Sequence, residues 1–203
     1  MHNTVIEIQD ISLSRNDNNI LDNISFKIER SKALNLYGLN GSGKTSLLNI
    51  IAGITEPTSG YINNISGDEN IFHKIVYIGH KYGIKGNLTV KENLSYSLHD
   101  NNQNNDALIS NALDIYKMTD LKNRLTKNLS HGQQKKVSLM KTLILDSLLW
   151  IIDEPYSALD NKSIEIFNTT VKKFLDNGGS LLMTSHSELK NSLFALDNYR
   201  IKQ

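Results

Sequence analysis

The chain has 203 residues, 39% hydrophobic and 21% charged, a balance that supports one globular domain with a real core. A formal net charge of +1 gives no broad basic surface, which argues against nucleic acid as a partner. There is no cysteine, so disulfides, thiolate nucleophiles and cysteine metal sites are excluded, and the longest apolar run, residues 148–152, falls far below the roughly 20 residues that a membrane span needs.

The N-terminal Met1-His2-Asn3-Thr4 has no basic stretch followed by an apolar one, so no secretory leader is expected and the chain reads as cytoplasmic. Val5, Ile6, Ile8, Ile11 and Leu13, the polar turn 16–19, and then Ile20, Leu21, Ile24, Phe26 and Ile28 predict an antiparallel hairpin. Residues 32–37 predict a short buried strand. Behind it Leu47, Leu48, Ile51 and Ala52 recur at helical spacing, with Gly53 as the stop. After the turn 57–60 come short strands at 61–62 and 74–78.

From 79 to 145 the character is helical. Val90, Leu94 and Leu98 form one apolar face and Leu108, Ala112, Ile115 and Met118 another, separated by the polar loop 99–105. The apolar strand 148–152 follows, then a helix over 162–176 stopped by Asn177-Gly178-Gly179. A strand at 180–184, a last short helix and a terminal strand around 199–201 complete the chain. Alternation of strands and helices implies an α/β fold with a mainly parallel sheet. The expected division is a core of 1–78 and 146–203, beginning with an antiparallel β subdomain, and an inserted α-helical subdomain over 79–145.

The chemistry concentrates in three places. Between the strand 32–37 and its helix stands Gly38-Leu39-Asn40-Gly41-Ser42-Gly43-Lys44-Thr45, followed by Ser46. Strand, glycine-rich turn and helix make a phosphate cradle: glycines let backbone N–H groups curl around phosphate oxygens, and the helix start adds partial positive charge. Lys44 is placed for the β- and γ-phosphates and the Thr45 hydroxyl for Mg²⁺. The strand 148–152 then ends in Asp153-Glu154, two carboxylates at the strand edge where open α/β sheets hold ligands. Asp153 is the expected direct or indirect Mg²⁺ partner, and Glu154 is placed to polarise a water for attack on the γ-phosphate. Third, Leu129-Ser130-His131-Gly132-Gln133 opens a helix whose apolar face is Val137, Met140, Leu143 and Ile144, with Ser130 as N-cap. A second anion site on a chain with one phosphate loop is explained by a head-to-tail dimer, each helix start closing over the other copy's nucleotide.

In this order the motifs resemble the ATP-binding-cassette (ABC) ATPases, a family with a P-loop NTPase core. The phosphate loop is the Walker A motif, residues 129–133 the signature, the strand ending at Asp153-Glu154 the Walker B motif, Ser157-Ala158-Leu159-Asp160 the D-loop, and His186 the switch histidine. The resemblance implies that ATP and Mg²⁺ are bound, that Glu154 and His186 are catalytic, and that Ser130, His131, Gly132 and Gln133 act on the nucleotide of a partner copy. Three departures stand out. His131 replaces a small residue of the signature, Gly79-His80 stands where the family has its Q-loop glutamine, leaving His80 as a candidate for the metal or water contact, and no aromatic near Leu13-Ser14-Arg15 is placed for adenine, leaving Arg15 to stack through its guanidinium.

The run from Tyr77 to Leu94, with Gly79-His80, Gly83-Ile84-Lys85, Leu88-Thr89 and Glu92-Asn93-Leu94, and the stretch Gln133-Gln134-Lys135-Lys136-Val137 resemble one subfamily, the haem-exporter ATPases of cytochrome c maturation. That resemblance implies a homodimer bound to integral membrane subunits, at the cytoplasmic face of a bacterial inner membrane as a peripheral component. The competing readings are an ABC ATPase for another substrate, a soluble non-transport ABC protein, a small P-loop kinase and a non-catalytic nucleotide sensor.

Overall fold

The structure, a computed structural model, describes residues 3–16, 18–65, 71–98, 105–191 and 193–201. In chain order its elements are β1 (Thr4–Arg15), β2 (Asn18–Glu29), β3 (Ala33–Tyr37), α1 (Lys44–Ile51), β4 (Ser59–Asn64), β5 (Ile75–Ile78), α2 (Val90–Ser97), α3 (Asn105–Ile115), α4 (His131–Ile144), β6 (Leu149–Ile152), α5 (Asn161–Asp176), β7 (Ser180–Ser185) and β8 (Leu196–Arg200). The chain divides into two compact units. One comprises 1–77, 147–155 and 171–203, the other 78–146 and 156–170.

The first unit holds two sheets. The predicted hairpin forms β1 and β2, and β4 joins β1 on its other side, all antiparallel, in the order β2-β1-β4. The second sheet runs β5-β6-β7-β3-β8, with β6, β7, β3 and β8 paired in parallel. The patterns explain the difference. β1 alternates toward one buried face, whereas Leu149, Trp150, Ile151 and Ile152 of β6 and Leu181, Leu182 and Met183 of β7 are buried without a break, as strands covered on both faces must be. Leu36, Leu47, Leu48, Ile51, Leu149, Ile151 and Leu182 form one apolar cluster with Ile6, Ile8 and Ile11. Each such side chain contributes about 1.5–3 kcal/mol when fully buried. Trp150 stacks on Phe174 of α5 with ring centroids 3.7 Å apart.

The second unit is helical where described, with α2, α3 and α4 packed together. The Leu88-Thr89 and Glu92-Asn93-Leu94 motifs have a structural reason. Thr89 caps α2 in a reciprocal box, its hydroxyl accepting from the Glu92 N–H at 3.2 Å while the Glu92 carboxylate accepts from the Thr89 N–H at 2.7 Å. The buried Asn93 amide accepts from the Lys85 N–H at 2.7 Å and donates to the carbonyls of Lys85, Leu88 and Thr89, fixing the approach to the helix. Leu94 is fully buried.

Two expectations are corrected. Of the stripe expected for α3, Ala112 and Met118 are buried and Ile115 is half-buried, but Leu108 is 39% exposed, and Ile109, Leu113 and Tyr116 complete the buried face instead. No helix forms between β7 and β8 among the described residues: 186–191 and 193–195 lie in bends and irregular backbone. The polar run 99–104 lies outside the described residues, as does Asp17 of the first turn, and Asn105 already opens α3.

Candidate functional site

The phosphate loop turns between β3 and α1, both held by the apolar cluster. Gly43 is the N-cap of α1 in the left-handed region, φ 87°, and no side chain caps the helix. Any Cβ there would sit 2.6 Å from Leu21 Cδ2 and 2.9 Å from the Ile20 carbonyl oxygen, so glycine is required twice over. The first amides of α1 are thus left without a side-chain acceptor, an arrangement suited to an anion. Two further observations fit a phosphate. Ser42 Oγ is buried without a hydrogen-bond partner. Lys44, only 7% exposed, curls its ammonium back onto the loop, donating to the carbonyls of Gly38 at 2.7 Å and Leu39 at 2.8 Å.

Across the sheet, β6 delivers Asp153 into the interior, 3% exposed. Its carboxylate accepts from the Thr45 hydroxyl at 2.8 Å and from the Thr184 hydroxyl at 2.5 Å. Thr184 in turn accepts from the Glu154 N–H at 2.9 Å. Glu154 has φ 46°, a left-handed backbone that a non-glycine residue adopts at a cost of about 1–3 kcal/mol. Its carboxylate Oε1 lies 3.2 Å from Nε2 of His186. The structure thus brings Thr45, Asp153, Glu154 and His186 into one chain of contacts, joined between Asp153 and Glu154 by Thr184, a residue that sequence reading did not single out. The available signal was a hydroxyl closing an apolar strand two residues before the histidine. Behind this chain, burial and the Asp153 charge push the Tyr77 hydroxyl above its ordinary pKa, and that hydroxyl donates to Asn49 Oδ1 at 2.6 Å. A cleft of about 600 Å³ opens at the loop, lined by Gly38, Leu39, Ser42, His186, Glu188 and Arg200 among others.

Among the described residues no three His, Cys, Asp or Glu side chains converge as a metal cage. A Mg²⁺ here would instead rest on the Thr45 hydroxyl and Asp153 carboxylate, a hard oxygen pair already in contact, with substrate phosphates completing the shell.

In the second unit, Ser130 caps α4. Its hydroxyl accepts from the Gln133 N–H at 3.3 Å, and Gln133 Oε1 accepts from the Ser130 N–H at 3.0 Å. A Cβ on Gly132 would meet the Ala158 carbonyl oxygen at 2.6 Å, so the backbone of residues 157–160 passes against the start of this helix. Asp160 then opens α5, accepting from the N–H and hydroxyl of Ser163 at 2.8 and 2.7 Å, and pairs with Lys136 at 3.2 Å. The Ser163 hydroxyl and amide and then the Lys136 ammonium lower the Asp160 carboxyl to a pKa of about 2. His131 is exposed, so its bulk meets no core; His80, also in this unit, and Arg15, at the end of β1, are exposed as well.

No helix among the described residues is long and apolar enough to cross a membrane. Residues 21–157 match the family model described as ABC transporter. The cytochrome c biogenesis ATP-binding export protein CcmA of Mannheimia succiniciproducens is 31% identical over 199 residues, covering 95% of this chain and 93% of that protein. The protein of the same name from Roseobacter denitrificans is 35% identical over 184 residues, covering 91% and 85%. Among solved structures, a putative ABC transporter ATP-binding protein from Pyrococcus furiosus superposes with a TM-score of 0.79 at 26% identity, over 97% of this chain and 96% of that one.

Proposed function

The chain belongs to the ABC transporter family as an ATP-binding subunit, and from that premise we propose that it hydrolyses ATP between two of its own copies to drive membrane subunits that handle haem for cytochrome c assembly. The observation that carries the hydrolytic part is the unbroken chain Thr45, Asp153, Thr184, Glu154 and His186 beside an uncapped helix start.

The residues divide the work. The loop amides from Gly38 to Ser46 receive the phosphates, and Lys44 leaves the carbonyls of Gly38 and Leu39 for β- and γ-phosphate oxygens. Mg²⁺, held by Thr45 and Asp153, supplies charge neutralisation of those oxygens when bound. The Glu154 carboxylate accepts a hydrogen bond from a water, orienting its lone pair toward the γ-phosphorus. His186, beside that carboxylate, holds it in place and faces the transferred group. The bond to the ADP oxygen breaks as the water oxygen bonds phosphorus, and the water proton leaves through Glu154 or the phosphate oxygens. Ser130, His131, Gly132 and Gln133 of a second copy close over the triphosphate, in a two-fold assembly with Asp160 of the D-loop beside them. His80 is proposed for the contact that the family assigns to a glutamine, and Arg15 for stacking on adenine.

The relatives' names support export in cytochrome c biogenesis as the coupled task; that the cargo is haem, and that the chain works at the cytoplasmic face of a bacterial inner membrane with integral membrane subunits, is the reading proposed here. The deciding experiment on the ATPase is size-exclusion chromatography of Glu154→Gln with Mg²⁺-ATP. A nucleotide-filled dimer is expected; a monomer with wild-type turnover overturns the reading. Copurification of membrane subunits that bind haem tests the coupled task, and subunits carrying another substrate refute it.

A further inference from the structure

The segment 186–191, which begins with His186, forms no helix, yet three side-chain amide contacts and one hydroxyl fix its path. Asn35 and Asn198 are direct register partners on the parallel strands β3 and β8. Asn35 Nδ2 donates to Asn198 Oδ1 at 2.8 Å and reaches the Ser187 carbonyl at 3.4 Å. Asn198 grips Leu189 at both backbone groups, its Oδ1 accepting from the Leu189 N–H at 3.1 Å and its Nδ2 donating to the Leu189 carbonyl at 2.9 Å. The Ser185 hydroxyl also donates to the Ser187 carbonyl. The residue next to the histidine and the residue three beyond it are thus tied to the sheet.

Asn35 is costly where it stands. It is fully buried in the middle of a strand, and its Oδ1 has no hydrogen-bond partner. An unsatisfied buried polar group of this kind costs about 1–3 kcal/mol. A leucine would fill the position with no such penalty, so the amide is not explained by the stability of the sheet.

We propose that Asn35 and Asn198 are positioning residues that hold the 186–191 loop so that His186 stays against Glu154. They touch neither the nucleotide nor the water; they restrict where the imidazole can go. The proposal rests on the hydrolytic reading above, in which His186 and Glu154 act together. It concerns the amide pair alone.

The test is Mg²⁺-ATP hydrolysis by the full chain carrying Asn35→Leu, Asn198→Ala or Asn198→Asp, beside His186→Ala, with melting temperatures measured for all. Asn35→Leu and Asn198→Ala are expected to lower kcat by about tenfold to a hundredfold, the range produced by small misplacements of a reacting group, with KM for ATP within about twofold. Asn35→Leu is expected to melt no lower than wild type. Asn198→Asp keeps the two bonds that Asn198 accepts and is expected to fall between wild type and Asn198→Ala. Wild-type kcat in Asn35→Leu and Asn198→Ala, with turnover lost in His186→Ala, overturns the positioning role. So does a loss of kcat that only follows a loss of folded protein. Wild-type turnover in His186→Ala overturns the hydrolytic reading instead.

Discussion

The Thr184 hydroxyl donates to the Asp153 carboxylate at 2.5 Å, and with its remaining lone pairs it accepts the N–H of the next residue, Glu154. One hydroxyl from β7 thereby sets both acidic residues at the end of β6. Thr184→Val keeps the shape and removes both bonds. It is expected to lower stability by about 1–3 kcal/mol, because Asp153 and the Glu154 amide lose a buried partner. It is also expected to reduce kcat more than it raises KM, and steady-state ATPase assays with thermal melts check both.

Lys44 already rests on two loop carbonyls, so its removal leaves the loop without its internal clasp and without the cation for the phosphates. Lys44→Ala is expected to weaken Mg²⁺-ATP binding by at least about tenfold, read by titration calorimetry or a fluorescent nucleotide. Undiminished affinity together with undiminished turnover would refute the assignment of this loop.

Gly132 has no room for a methyl group, since a Cβ would meet the Ala158 carbonyl at 2.6 Å. Gly132→Ala is expected to push the 157–160 segment away from α4, at a cost of about 1–3 kcal/mol in stability and with slower hydrolysis. Backbone amide shifts in NMR spectra at residues 157–160 are the direct measurement.

Asp160 links acid stability to the same segment. Its folded-state pKa of about 2 lies below the ordinary 3.8, chiefly through Ser163 and then Lys136. The sign follows: its contribution to folding is present in full above the unfolded value and is lost as pH falls from about 4 through about 2. Ser163→Ala is expected to raise the Asp160 pKa toward 3.8 by more than Lys136→Ala does, as followed by carboxyl carbon NMR titration.

Tyr116 provides a stability test away from the site. Its hydroxyl is buried without a hydrogen-bond partner, and burial pushes its pKa well up. Tyr116→Phe is expected to leave stability unchanged or raise it by about 1 kcal/mol, since only an unsatisfied group is deleted. A clear loss on chemical denaturation would show that the hydroxyl is satisfied in solution.

The legible parts of the sequence were local. The glycine loop, the Ser130 cap and the unbroken apolar runs of β6 and β7 each declare themselves within a few residues, and the order of motifs fixed the family. The face of α3 departs at its start because Leu108 and Ile109 both continue a helical spacing to Ala112, and only packing against α2 and α4 buries Ile109 and leaves Leu108 outside. The helix expected after β7 failed for a different reason. Asn35 and Asn198 lie 152 and 11 residues from Ser187 in sequence, so the amides that straighten that loop leave no local trace. The bridge from Thr184 to Asp153, 31 residues apart, is hidden in the same way.

The cap on α4 bears on which amino acids position 130 will accept. Ser130 uses a lone pair to receive the Gln133 amide, so its hydroxyl hydrogen stays available to point outward. Aspartate would start the helix equally well but would present only negative oxygens to an approaching anion, and glycine would present nothing. Tolerance at this position should therefore require both a cap acceptor and a spare hydroxyl proton at serine's reach, which threonine supplies.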